Sequence, residues 1–119
     1  MNRTRMLAAA AAAALGATVA ASGAAASTPK LIGSDSDPFK ISLTQGGKKV
    51  TTLKAGTYTI VVNDTASDHN FHLKGPGVDK KTSTSGKGTF TWKVVLKKGT
   101  YKYVCDPHSG FMKGSFTVT

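Results

Sequence analysis

Several side chains in this chain could act together as metal donors. Cys105, the only cysteine, opens the run Cys105-Asp106-Pro107-His108-Ser109-Gly110-Phe111-Met112. A thiol, an imidazole and a thioether thus fall within eight residues near the C-terminus. Two more histidines lie upstream, in His69-Asn70-Phe71-His72. Two imidazoles, a thiolate and a weak thioether are the donor set of a copper electron-transfer site. Cu(I) prefers soft sulfur and Cu(II) accepts imidazole, so the mixed set holds both states. Copper lowers the effective pKa of a coordinated thiol, which makes the thiolate the ligand.

Such a set works only if strands and turns bring it together. The segments Tyr58–Val62, Phe90–Val94, Tyr101–Cys105 and Phe116–Thr119 alternate in the two-residue period of strands. Ile41–Leu43, Val50–Leu53 and Asn70–Leu73 are three shorter candidates. Glycine and asparagine punctuate the runs, at Gly46-Gly47, Asn63-Asp64, Gly75-Pro76-Gly77 and Gly99. Seven short strands with turn signals between them predict an all-β sandwich or small barrel. The stretch from Gly75 to Gly88 is basic and irregular and reads as a surface loop. Cys105 ends a strand whose inward face also carries Tyr101 and Tyr103. A tight turn through Asp106-Pro107 then presents His108, and Gly110 returns Met112 before the last strand. Pro107 fixes its own φ and removes a backbone donor beside the sulfur. One more imidazole must come from upstream. Residues three apart on a strand face opposite sides, so His69 and His72 cannot both point at one metal.

The N-terminus has the plan of a secretory signal peptide: Arg3 and Arg5, an alanine-rich apolar run, and Ala24-Ala25-Ala26 before Ser27. Cleavage after Ala26 leaves 93 residues, enough for one modest core. Residues 1–26 are therefore expected to be a signal peptide, 27–37 a polar linker, and 38–119 one domain. A lone cysteine in an exported chain cannot form an internal disulfide, so it is buried, paired between chains, or ligated. The part beyond residue 26 has 14 lysines and no arginine, and six aspartates with no glutamate, a net charge of +8. A basic surface favours acidic partners. Nucleic-acid recognition would call for arginines interleaved with aromatics, and neither pattern is present.

Each candidate has a simpler reading when taken alone. Cys105 could be a buried core thiol, His108 a surface histidine and Met112 a core filler. Their joint spacing points to a metal. Zinc also takes cysteine and histidine, but a structural zinc site uses more cysteines, and a methionine in the fourth position favours copper. Tyr103-x-Cys105 has the spacing of an immunoglobulin tyrosine corner, yet no partner cysteine exists for the inter-sheet disulfide.

The pair His69-Asn70, the run Gly99-Thr100-Tyr101-Lys102-Tyr103-Val104 and the motif Cys105-Asp106-Pro107-His108 through Met112 together resemble the small type 1 copper cupredoxins, with plastocyanin, pseudoazurin and amicyanin the nearest in pattern. The resemblance covers Phe39 to Thr119. It implies a Greek-key β-sandwich of seven to eight strands with one copper at a pole. It assigns His69, Cys105 and His108 as in-plane ligands and Met112 as the long axial ligand. It leaves His72 outside the ligand set and gives Asn70 the task of tying the upstream segment to the ligand loop. It makes His108 an electron port, with Phe111 and Pro107 lining an apolar patch. Two features depart from the family pattern. The three-residue gap from His108 to Met112 differs from the plastocyanin and amicyanin loops. Asp106 replaces the usual serine or threonine, and a buried, ionised carboxylate there would favour Cu(II). The resemblance implies an exported one-electron carrier, periplasmic, at the cell surface or secreted, with no membrane association after cleavage. It is expected to be monomeric, to transform no substrate and to meet an acidic redox-partner protein. Multicopper enzymes need additional histidines, and this chain holds only three. A copper-delivery protein and a metal-free binding module are the rival functions.

Overall fold

The computed structural model describes residues 27–119. The expected signal peptide, residues 1–26, lies outside the described residues. Among the described residues there are ten strands and one 3-10 turn: β1 Lys30–Ser36, β2 Lys40–Gln45, β3 Lys48–Lys49, β4 Thr52–Leu53, β5 Gly56–Asp64, β6 His72–Gly75, β7 Val78–Lys81, β8 Gly88–Leu96, β9 Gly99–Val104, the turn Asp106–His108, and β10 Lys113–Val118. They form two five-stranded sheets, ordered β3-β2-β1-β5-β8 and β4-β10-β9-β6-β7. The pairs β1–β5 and β4–β10 are parallel, and the others are antiparallel. This is the Greek-key β-sandwich that the cupredoxin resemblance implies, one of the two all-β forms open to the strand pattern. No helix among the described residues is long and apolar enough to cross a membrane.

Two assignments need correction. The segment read as linker contributes β1, a strand inside the first sheet with Leu31 fully buried. Its inward positions are Leu31, Gly33 and Asp35, and glycine and aspartate conceal the alternation that a hydrophobicity scan seeks. The Gly75–Gly88 stretch is only partly loop, because β7 pairs with β6 along the edge of the second sheet. Charged residues at its exposed positions, Asp79, Lys80 and Lys81, mask it, as is common at sheet edges.

The core lies between the sheets, and β9 supplies its centre. Tyr101, Tyr103 and Cys105 all face inward and are buried. Phe71 stacks on Tyr103 at 5.5 Å between ring centroids, and Phe116 stacks on Tyr101 at 5.2 Å. The Tyr101 hydroxyl accepts a hydrogen bond from the Lys97 N–H at 2.8 Å, so the tyrosine corner belongs to Tyr101 rather than Tyr103. Glycines on both neighbours of β9 make room for these rings. A Cβ on Gly114 would enter the Tyr103 ring, and one on Gly75 would enter the Tyr101 ring. The tyrosines therefore lie flat against β10 and β6, which steadies the strand that carries the thiol.

Gly114→Ala should destabilise the fold by about 1–3 kcal/mol through overpacking against Tyr103. A lowered denaturant midpoint at unchanged slope would show it.

Candidate metal centre

The ligand loop is a continuation of the β9–β10 ladder. The register Val104↔Lys113 extends by one step, with the Cys105 N–H donating to the Met112 carbonyl at 2.9 Å. Directly opposed residues project to one side of a sheet, so Met112, 1% exposed, shares the inner face with Cys105. Two backbone turns close the intervening loop. The His108 N–H donates to the Cys105 carbonyl at 3.0 Å, and the Met112 N–H donates to the His108 carbonyl at 2.9 Å. The three-residue gap from His108 to Met112 is thus the length of one hydrogen-bonded turn.

His69 arrives from the connection between β5 and β6 and is fully buried. Its Nδ1 lies 3.7 Å from the Cys105 Sγ and 3.2 Å from the His108 Nδ1. The His108 Nδ1 is 3.5 Å from the same sulfur. Three donors bound in one plane at ~2.0–2.3 Å from a metal would stand about 3.5–3.8 Å apart; the two edges to sulfur, 3.5 and 3.7 Å, fall in that range, and the nitrogen–nitrogen edge, 3.2 Å, is shorter. The His69 Nε2 lies 2.9 Å from the Pro38 carbonyl. A carbonyl can only accept, so the imidazole proton sits on Nε2 and the Nδ1 lone pair faces the sulfur. Among the described residues, His69, Cys105 and His108 form a group able to hold a metal, with the first two buried and His108 half-buried. Burial pushes the Cys105 thiol up, backbone N–H groups of Asn70 and His108 draw it down, and the charges of Asp35 and Asp106 raise it further. A cation at the triangle opposes that rise and favours the thiolate.

Asn70 binds the two halves of the site together. Its side-chain carbonyl accepts from the Asp106 N–H at 2.7 Å, and its amide donates to the Asp106 Oδ2 at 2.9 Å and the Thr82 carbonyl at 3.1 Å. His72 faces away from the triangle. Its Nδ1 is 2.8 Å from the Asp106 Oδ1 and its Nε2 is 2.6 Å from the Asp79 Oδ1. Strand alternation is not what separates the two histidines, because β6 begins only at His72. The Asp106 side chain is 41% exposed. Partial desolvation raises its pKa, but hydrogen bonds from His72 and Asn70 outweigh this and hold the carboxyl below its usual range. The expected preference for Cu(II) required a buried carboxylate, and that condition is not met.

An aromatic rim surrounds His108. Phe39 and Phe111 are 53% and 63% exposed, and their rings lie 5.1 Å and 5.8 Å from the His108 ring. Pro107 is exposed beside them. Sequence reasoning missed Asp37, Pro38 and Phe39 as parts of this pole. The Asp37 Oδ1 is 3.2 Å from the His69 Nε2. An aromatic directly after Asp37-Pro38, at the end of a polar run, was the available signal.

Residues 41–119 match the family described as copper binding proteins, plastocyanin/azurin family. The chain belongs to that family; it is a type 1 cupredoxin, and its metal is copper. It is 41% identical over 69 residues to amicyanin-alpha of Methylorubrum extorquens, a match covering 56% of this chain. The matched region spans 57% of that relative's length. Reduced rusticyanin shares the fold with a TM-score of 0.57 at 21% identity, over 81% of this chain and 82% of the other. Rusticyanin from Thiobacillus ferrooxidans gives 0.55 at 23% identity, over 80% and 79%.

Asn70→Ala removes both side-chain hydrogen bonds that tie Asn70 to Asp106 in the ligand loop. It should cost about 1–3 kcal/mol, with faster hydrogen exchange at the Asp106 amide as the local readout.

Proposed function

We propose that this chain carries single electrons between partner proteins in an extracytoplasmic compartment. Bound copper supplies the Cu(II)/Cu(I) couple. The observation that carries the reading is the triangle of His69 Nδ1, Cys105 Sγ and His108 Nδ1, 3.2–3.7 Å on a side, beside an exposed aromatic rim. His69, Cys105 and His108 would hold the copper. Met112 would be the weaker fourth donor, supported by its position opposite Cys105 on the inner face. Hydrogen bonds outside the donor set hold each ligand: Pro38 holds His69, and Asn70, through Asp106, holds the loop of Cys105 and His108. A site fixed in this way rearranges little when its charge changes, which is what rapid electron exchange requires.

His108 is the port, since its ring is only half-buried among Phe39, Phe111 and Pro107. The carrier transforms no substrate. The signal-peptide plan of residues 1–26 supports export, and the domain begins at β1. The electron-exchange partner is an acidic protein. Lys74 and Lys102 are register partners on β6 and β9, and both are exposed. Like charges directly opposed on a sheet are unfavourable, and an acidic surface would relieve them.

Two experiments test the reading. Cu(II) added to the chain should give an intense visible thiolate-to-copper band with reversible redox cycling, and Cys105→Ser should abolish the band. Equal spectra from both proteins would overturn the copper assignment, and tight copper binding without redox exchange would assign delivery instead. Association with an acidic redox protein should slow as salt rises, because screening shortens to about 8 Å at physiological ionic strength. The paired variant Lys74→Gln/Lys102→Gln should flatten that dependence.

A further inference from the structure

Two carboxylates are buried at the copper pole without serving the metal. Asp35 and Asp64 are 0% and 1% exposed. They end the inward stripes of β1 and β5, continuing Leu31-Gly33 on one strand and Tyr58-Ile60-Val62 on the other. They are register partners across the parallel β1–β5 pair. As two ionised groups, none of their four oxygens has a hydrogen-bond partner. A buried, unpaired and unsatisfied pair of like charges is not a stable arrangement. A single proton resolves it, because a carboxylic acid can donate to its carboxylate neighbour.

We propose that Asp35 and Asp64 share one proton and form a proton site linked to the redox state of the copper. The pair sits beside the segments that hold His69. The Asp35 carbonyl accepts from the Thr65 N–H at 3.1 Å and the Thr65 hydroxyl at 2.9 Å, where the chain leaves β5 for His69. Two residues beyond Asp35, the Asp37 carboxylate contacts His69. Other titratable groups at this pole are His69, Cys105 and His108, with Asp37 and Asp68 against His69, and Asp106, which is bonded to His72 and whose charge reaches Cys105. Gly88, which pairs with Asp64 from β8, brings no charge. Burial pushes the Asp35 carboxyl up to about 8, helped by the hydrogen bond to Asp64 and by its charge.

The linkage follows from charge balance. When one electron arrives from the donor protein, the copper site loses one positive charge. The pair then holds its proton more tightly and draws one from water if it is ionised. A raised carboxyl stabilises the fold fully below its unfolded value, about 4, and that contribution is lost as pH rises through about 8.

The proton-sharing half can be tested on the metal-free chain. The linkage rests on the electron-carrier reading. In the infrared spectrum, a carboxylic-acid carbonyl band should persist at neutral pH and vanish above about pH 8. Asp64→Asn and Asp35→Asn, each near-isosteric, should both remove it at neutral pH. The stability advantage of the wild type over Asp64→Asn should shrink as pH rises through that window. Absence of the band, its persistence in both variants, or parallel stability curves would overturn the shared proton. In the copper-loaded chain the reduction potential should fall as pH rises through about 8 and be flat in Asp64→Asn. An equal slope in the variant assigns the proton to another group and overturns the linkage. A chain with no reversible copper couple overturns the linkage together with the electron-carrier reading, while the infrared band still decides the shared proton.

Discussion

The site depends on the tie between Asn70 and Asp106. These residues are 36 positions apart, and each stands next to a member of the donor triangle. The Asn70 carbonyl takes the Asp106 N–H, while its amide takes the Asp106 carboxylate and the Thr82 backbone. One buried side chain thereby sets the distance between the segment of His69 and the loop of Cys105 and His108. A donor triangle 3.2–3.7 Å on a side tolerates little drift, since a metal bond is lost over a fraction of an ångström. His72 strengthens the same junction by joining Asp106 to Asp79 on β7.

The core of the sandwich supports this tie by fixing β9. Tyr101 and Tyr103 are flattened against strands where a side chain would collide, and each stacks on a phenylalanine from another element. Cys105 continues the same inward face, so its sulfur inherits the rigidity of the aromatic layer. The other sheet supplies His69 its backbone acceptor, through the β1–β2 connection at Pro38. Both sheets therefore meet at the metal pole, and the buried Asp35–Asp64 pair lies where they do. Burying two carboxylates in place of apolar residues costs stability, and proton binding gives that cost a use.

Much of this was legible in the residues. The alternation of β5, β9 and β10 and the composition of the ligand loop read directly. The all-β class and the donor types followed from them, while the two-sheet sandwich and the choice of His69 came with the resemblance to the cupredoxins. What escaped had a physical reason in each case. β1 hides its inward face behind Gly33 and Asp35, and hydropathy does not score either as core. β7 has one buried residue, Val78, followed by the exposed Asp79, Lys80 and Lys81. Phe39 and Pro38 carry no donor atom of their own, and they matter only because folding sets them against His69 and His108.

The residue types by themselves determined which chemistry was open to the chain. One thiol, three imidazoles and a nearby methionine suit a metal that alternates between soft and borderline preferences, and local spacing places Cys105, His108 and Met112 in one loop. Tertiary structure decided which upstream histidine joins them. His69 and His72 are chemically equal and three residues apart, and only the docking of their segment on Asn70 and Asp106 turns one inward and the other outward. It also decided that Asp106 faces solvent while Asp35 and Asp64 do not. Burial and the approach of like charges arise between strands distant in the chain, so no local pattern of residues records them.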